Sequence, residues 1–160
     1  MLDVLLDRAS ATGKAHHKVS AHGMGGLGKT TLAASIVRHH DVRVSFDRLG
    51  FVSAGQEPAT LAEQRTLYTQ LTGSALKTAP EATASSQREE MVKATLGKKL
   101  LAVLDDVWEV VHERLLNPFD ESNMASAGAK LMVTTRFAKL LQGYVVAASF
   151  WLDASGGCRH

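Results

Sequence analysis

The sequence of 160 residues contains one cysteine, Cys158, and no long apolar run. An internal disulfide is therefore impossible, which agrees with a reducing compartment. The longest wholly apolar run in the middle of the chain is Leu100–Leu104, far short of the ~20 residues that cross a bilayer. The N-terminus lacks a basic start, and Asp3 and Asp7 interrupt its apolar residues. We therefore expect no signal peptide and a soluble, cytoplasmic protein.

An excess of charge of one sign is also missing. The chain has 18 basic and 16 acidic side chains, a formal net charge of +2, which argues for neither a nucleic-acid nor a membrane partner. The histidines His16–His17 and His39–His40 are adjacent pairs, without the spacing of a zinc site. No G-x-S-x-G motif or partnered cysteine supports nucleophilic catalysis. With 45% hydrophobic residues, the composition indicates one globular domain of ordinary size.

Strand and helix patterns alternate along the chain. Predicted strands are Lys18–His22, Phe46–Ser53, Leu100–Leu104, Lys130–Thr135 and Tyr144–Ala148, and predicted helices are Thr30–His39, Thr60–Leu71, one starting at a capping box Ser86–Glu89, Glu109–Leu116 and Phe137–Leu141. This order predicts an α/β fold of three layers, a mostly parallel sheet of about five strands with helices on both faces. We expect an N-terminal extension over 1–18, the domain over 19–148 and an irregular tail over 149–160.

A glycine-rich loop follows the first predicted strand and leads into a helix. Its sequence GMGGLGKT, Gly23–Thr30, fits the P-loop pattern G-x-x-x-x-G-K-[ST]. Glycines, here Gly23, Gly25, Gly26 and Gly28, allow a tight curl and a close approach of backbone N–H groups to phosphates. Lys29 would reach the β- and γ-phosphates, Thr30 would bind Mg²⁺ through its hydroxyl, and Thr31 could contact the α-phosphate. The alternative is a chance match on a glycine-rich turn.

Two aspartates end the apolar strand Leu100–Leu104. In a parallel sheet this places them beside the P-loop, where Asp105 would hold Mg²⁺ through water and Asp106 could orient or deprotonate the attacking water. Aspartate is also a favoured helix N-cap, which is the alternative interpretation.

Arg136 follows the next predicted strand, after Thr134 and Thr135. A cation at this edge of the sheet can sense the γ-phosphate, and arginine suits the task because it is always charged and forks to pairs of oxygen atoms. A solvated arginine is the alternative, and we interpret Trp108 as a core residue.

The segments GMGGLGKTTLA, FDRLGFVS, LLAVLDDVW and KLMVTTR resemble the NB-ARC (AP-ATPase) domain of the STAND class of P-loop NTPases. The resemblance spans roughly Val19 to Val146. It implies a nucleotide-dependent signalling switch, as in plant disease-resistance and animal apoptosis proteins, in which ADP holds a closed state and ATP permits oligomerisation. By motif it implies Lys29 and Thr30 for phosphate and magnesium, Asp105 for magnesium, Asp106 for hydrolysis and Arg136 as the γ-phosphate sensor.

Some family motifs are missing from this sequence. Met1–Lys18 has no Gly-Arg-Glu-like segment to contact adenine, and the later Gly-Leu-Pro-Leu and Met-His-Asp motifs are not found. We therefore expect a truncated gene or fragment in which the phosphate half of the site is complete and the base half is not. The predicted function is an ADP- or ATP-Mg-binding core with slow hydrolysis at most, and the resemblance implies a role in defence or cell-death signalling. A module that binds other NB-ARC chains with little nucleotide binding is the alternative. A small-molecule kinase is the third hypothesis, and the weakest, because the sequence has no arginine-rich lid segment.

Overall fold

A computed structural model describes residues 1–7, 16–77, 79–152 and 158–159 of the chain. The strands are β1 (Lys18–Gly23), β2 (Arg48–Gly55), β3 (Leu100–Val107), β4 (Lys130–Thr135), β5 (Val145–Leu152) and β6 (Cys158–Arg159). The helices are α1 (Leu2–Leu5), α2 (Lys29–Arg38), α3 (His40–Ser45), α4 (Thr60–Thr72), α5 (Ala84–Thr95), α6 (Val110–Leu116) and α7 (Glu121–Ala127), with a short 3-10 helix at Ala138–Leu140. Within the described residues, no helix is long and apolar enough to span a membrane.

The strands form one sheet in the order β2-β3-β4-β1-β5-β6. Strands β1 to β5 pair in parallel, and the two-residue β6 pairs with β5 in the antiparallel direction. The predicted α/β fold with a parallel sheet of about five strands is confirmed. Because β3, β4 and β1 are neighbours, the segments that follow them meet at one edge of the sheet.

Strand β3 explains why the fold has three layers. Its residues Leu100–Leu104 are all fully buried, and their side chains alternate between two cores. Leu100, Ala102 and Leu104 pack with residues of α4, α5 and α6, whereas Leu101 and Val103 pack with residues of α1, α2 and α3. A continuous apolar strand therefore carries helices on both faces.

The N-terminal residues are joined to the base of the sheet. Leu5 is fully buried in the core that contains Val19 and Ala33. The Lys130 side chain at the start of β4 is only 3% exposed, and its Nζ donates to Asp7 Oδ1 at 2.6 Å and to the His16 carbonyl at 2.9 Å. Helix α1 thus packs as part of the core. The predicted N-terminal extension, 1–18, and the predicted tail, 149–160, lie partly outside the described residues.

The local signals located most elements, with differences at several of them. The predicted capping box Ser86–Glu89 is wrong, because α5 begins one turn earlier and its box joins Thr83 and Ser86: each backbone N–H donates to the other's side-chain oxygen, at 3.0 and 3.2 Å. The sequence did not predict α3 and α7. Strand β5 begins at Val145 and runs to Leu152, beyond the predicted end at Ala148.

Candidate functional site

A cleft of about 270 Å³ lies where the ends of β3, β4 and β1 meet. It is lined by glycine, polar and charged residues: Gly25, Gly26, Gly28, Lys29, Thr30, Thr31, Asp106, Thr134 and Arg136. Eight of these nine residues are predicted site residues, and the ninth is Thr134. The topology therefore brings segments of three strand ends together around one concave, polar surface.

The glycine loop has a backbone that side chains would strain. Gly23, Gly26 and Gly28 have φ angles of 147°, 78° and 90°, which residues with a Cβ rarely adopt. Gly28 is also the N-cap of α2, and no side chain caps this end of the helix. The free N–H groups of the first turn, together with the helix dipole, favour an anion at this position.

Lys29 is only 6% exposed and is held inside the loop. Its Nζ donates to the carbonyl oxygens of Gly23 and Met24, at 2.7 and 2.5 Å. Burial lowers the pKa of the Lys29 ammonium, and the positive charge of Arg136 lowers it further, whereas the nearby aspartates act in the opposite direction. Two cations thus share the cleft, and an anion between them would relieve their repulsion.

Asp105 lies beneath the cleft at the end of the buried part of β3, with 2% exposure. Its Oδ2 accepts a hydrogen bond from the Thr30 hydroxyl at 2.8 Å, and its Oδ1 accepts one from the Thr134 hydroxyl at 2.6 Å. The Thr30 hydroxyl and the Asp105 carboxylate are oxygen ligands of the type that Mg²⁺ prefers, and they are already adjacent. The residues therefore fit a magnesium ion whose other ligands come from phosphate and water.

Asp106 adopts a left-handed backbone conformation, with φ of 51°. The pairing of β3 with β4 shifts register between Leu104 and Val107, and the Asp106 amide instead donates to the Thr134 hydroxyl at 2.8 Å. This conformation turns the Asp106 side chain to line the cleft, whereas Asp105 stays buried. Neither aspartate caps a helix, because the N-cap of α6 is Glu109.

Arg136 lies above the glycine loop. A Cβ built on Gly25 would be 2.8 Å from a terminal guanidinium nitrogen of Arg136, so the guanidinium lies directly over the loop backbone. The Arg136 Nε donates to Asp106 Oδ1 at 3.3 Å, and the guanidinium carbon is 5.0 Å from the centre of the Trp108 ring. Asp106, predicted for hydrolysis, and Arg136, predicted to sense the γ-phosphate, are thus paired with each other.

Sequence reasoning assigned no role in this site to Thr134 or Trp108. Thr134 contacts both aspartates, and Trp108, predicted to be a core residue, is partly exposed and donates from Nε1 to Asp106 Oδ2 at 3.1 Å. The only available signal was position, since Trp108 comes directly after β3 and Thr134 is the penultimate residue of β4, both at the ligand edge of the sheet.

Comparisons with known proteins identify the family of the chain. The family model described as "NB-ARC domain" matches residues 1–149. Probable disease resistance protein RF45 of Arabidopsis thaliana is 34% identical over 119 residues, which are 74% of this chain and 11% of that protein. Probable disease resistance protein RXW24L of Arabidopsis thaliana is 32% identical over 119 residues, 74% of this chain and 13% of that protein.

A solved structure shares the fold at low identity. A chain from the structure of Drosophila ORC bound to AT-rich DNA and Cdc6 superposes with a TM-score of 0.57 and 9% identity, over 91% of this chain and 50% of that one. This likeness concerns the fold alone. Given the family match over nearly its whole length, the chain belongs to the NB-ARC domain family.

Proposed function

We propose that the cleft binds ADP or ATP together with Mg²⁺. The observation that carries the proposal is the 2.8 Å hydrogen bond between Thr30 and Asp105, which are 75 residues apart in sequence. It joins the end of the glycine loop to the acid that ends the buried part of β3, so that a phosphate on the loop and a cation on Asp105 would be neighbours. A chance glycine-rich turn would not need this acid at this place.

Each side chain has a distinct part in the proposed complex. Lys29 would donate to the β- and γ-phosphates in place of its loop carbonyls, and Thr31 would contact the α-phosphate. Thr30 and Asp105 would hold Mg²⁺, which supplies charge neutralisation on the phosphates. Arg136 would contact the terminal phosphate, because its guanidinium already lies over the loop.

Hydrolysis would be slow at most. Asp106 is the residue proposed to orient or deprotonate water, but both of its carboxylate oxygens already accept hydrogen bonds, from Arg136 and Trp108. A water that Asp106 is to orient would have to share these oxygens with the Arg136 and Trp108 donors. The chain is therefore proposed to bind nucleotide as a signalling element with, at most, weak ATPase activity.

The biological role follows from the relatives. Those named above are called disease resistance proteins, and the chain spans only 11% to 13% of their length. We propose a role in defence or cell-death signalling, in the cytoplasm, in which other NB-ARC chains or signalling proteins are the partners.

A second candidate is an interaction module with little nucleotide binding. One observation favours it: the Arg136 guanidinium is close enough to Gly25 to occupy part of the space above the loop. The lining of the cleft is also entirely glycine, polar or charged, which suits phosphate better than an adenine ring.

Calorimetric titration with Mg-ADP and Mg-ATP separates the two candidates. We expect the wild type to bind and Lys29→Ala to lose most of the affinity, because Lys29 is the buried cation of the loop. Lys98→Ala is the matched control, since Lys98 is exposed and, among the described residues, its side chain bonds only to the Ala94 carbonyl near the end of α5. No binding by the wild type at millimolar nucleotide would refute the first candidate and favour the second.

A further inference from the structure

We propose that Trp108 is a positioning residue that holds Arg136 and Asp106 at the end of the cleft, and thereby sets the preference of the site for ATP over ADP. This inference rests on the proposed nucleotide function. It adds a residue to which sequence reasoning assigned only a place in the core, and it gives a structural origin for discrimination by the terminal phosphate.

Trp108 contacts both members of the Arg136–Asp106 pair. Its ring lies under the guanidinium, with 5.0 Å between the guanidinium carbon and the ring centre. Its indole N–H donates to Asp106 Oδ2 at 3.1 Å, while Arg136 donates to the other oxygen of the same carboxylate at 3.3 Å. The three side chains therefore form a closed triangle, in which each touches the other two.

The Trp108 ring is itself fixed by the neighbouring strand end. It packs edge-on against Phe137, with 5.3 Å between ring centres and an angle of 61°. The Phe137 backbone N–H donates to the Thr135 hydroxyl at 3.1 Å, which ties it to the end of β4. Trp108 directly follows β3 and Phe137 follows β4, so this aromatic pair joins the two segments that carry Asp106 and Arg136.

Arg136 needs such a support because little else restrains it. Its side chain is 42% exposed, and an exposed ion pair is a weak restraint on a long side chain. The face of a tryptophan ring attracts a guanidinium and restricts it to one orientation. A pre-positioned Arg136 loses less freedom when a terminal phosphate binds, and ADP lacks that phosphate.

The affinities of four proteins test the proposal. Mg-ADP and Mg-ATP dissociation constants are measured by calorimetry for the wild type, Trp108→Leu, Arg136→Ala and the double variant. We expect unchanged ADP affinity throughout and an ATP-over-ADP preference that falls by about two- to fivefold in Trp108→Leu. The double variant is expected to match Arg136→Ala, because Trp108 acts through Arg136.

Two further variants distinguish the contribution of the Trp108 ring from that of its N–H group and provide a substitute if Trp108→Leu does not fold. Trp108→Phe keeps an aromatic face but removes the donor to Asp106, so we expect it to retain most of the ATP preference. Trp108→Gln suits a partly exposed position and provides the same test as leucine if the leucine variant does not fold. Tyr68→Leu is the control, since it truncates a partly buried aromatic residue on α4, away from the cleft.

The outcomes are distinguishable. An unchanged ATP-over-ADP ratio in folded Trp108→Leu or Trp108→Gln, alongside a reduced ratio in Arg136→Ala, would overturn the role of Trp108 and leave nucleotide binding intact. An equal loss of ADP and ATP affinity would also overturn it, because it would indicate a general structural role. A wild type that binds neither nucleotide would overturn the proposed function itself, and this inference with it.

Discussion

The substitution Thr134→Val removes the hydroxyl that links the two aspartates of the site. Thr134 is fully buried, donates to Asp105 Oδ1 at 2.6 Å and accepts from the Asp106 amide at 2.8 Å. Valine has nearly the same shape but neither bonding capacity. The substitution therefore deletes both hydrogen bonds without creating a cavity.

The structure allows the loss of stability to be estimated. A hydrogen bond to a charged group contributes about 1.5–3 kcal/mol, and leaving the partly buried Asp106 amide without a partner costs about 1–3 kcal/mol. Burial of a methyl group in place of the hydroxyl offsets roughly 1 kcal/mol of this loss in the free energy of unfolding. The net loss in the free energy of unfolding for Thr134→Val is therefore about 1.5–5 kcal/mol.

Thr135→Val is the matched comparison. Thr135 is equally buried, donates to the Val107 carbonyl at 2.7 Å and accepts from the Phe137 amide at 3.1 Å. Since its acceptor is neutral, we expect a smaller loss, about 1–3 kcal/mol. Urea denaturation followed by circular dichroism gives both values.

The two threonines differ in what they support. Of these two threonines, only Thr134 contacts Asp105. We therefore expect only Thr134→Val to weaken the magnesium-dependent part of ADP affinity. This part is measured as the ratio of the ADP dissociation constants with magnesium and with chelator. A Thr134→Val protein as stable as the wild type, or an equal loss of magnesium dependence in Thr135→Val, would refute the reasoning.

Two further predictions concern the fold. Gly50→Ala is expected to destabilise the protein by about 1–3 kcal/mol, because a Cβ there would lie 2.5 Å from a methyl carbon of Leu67 on α4. Thermal denaturation measures this change in stability. Asp7→Asn is expected to cost about 1–3 kcal/mol near neutral pH, since it weakens the partner of buried Lys130. Burial raises the pKa of Asp7, but the hydrogen bond and charge of Lys130 bring this pKa below its ordinary 3.8. The stability that the carboxylate adds is therefore complete well above pH 3.8 and is lost as pH falls through the lowered pKa.

The Gly50→Ala and Asp7→Asn predictions each have a control substitution in the same protein. Gly25→Ala also creates a close contact, but with the flexible end of Arg136, so a loss of stability as large as that of Gly50→Ala would contradict the packing argument. Asp3→Asn removes an exposed carboxylate from the same short helix as Leu5. If the stability difference between wild type and Asp7→Asn did not shrink in acid, or matched that of Asp3→Asn, the link to Lys130 would be wrong.

The sequence predicted the layers of the fold because their signals are local and strong. The run Leu100–Leu104 is apolar at every position, which only a strand buried on both faces explains at that length. Short helices such as α3 and α7, with six and seven residues, carry too few turns for a periodic signal, and tertiary packing stabilises them. The capping box of α5 was missed because its N3 residue is Ser86 instead of glutamate or glutamine.

For the site, the sequence predicted which residues meet but not how they are connected. Glycine spacing and the acids after β3 follow from motif chemistry and sheet topology. The left-handed conformation of Asp106 depends on the Thr134 hydroxyl of the next strand, and the Trp108–Arg136 contact depends on loop geometry. Neither is encoded in the residues adjacent to it in sequence.

The most direct test of nucleotide binding at Gly23–Thr30 is a set of calorimetric ADP titrations with magnesium and with excess chelator, on the wild type and on Asp105→Asn. Asparagine keeps the size of the buried side chain and removes its charge. We expect the wild type to bind more tightly with magnesium, and Asp105→Asn to match it in chelator while gaining nothing from magnesium. No binding by the wild type at millimolar ADP, or an equal loss of affinity in chelator for Asp105→Asn, would contradict a magnesium-nucleotide site built on this loop.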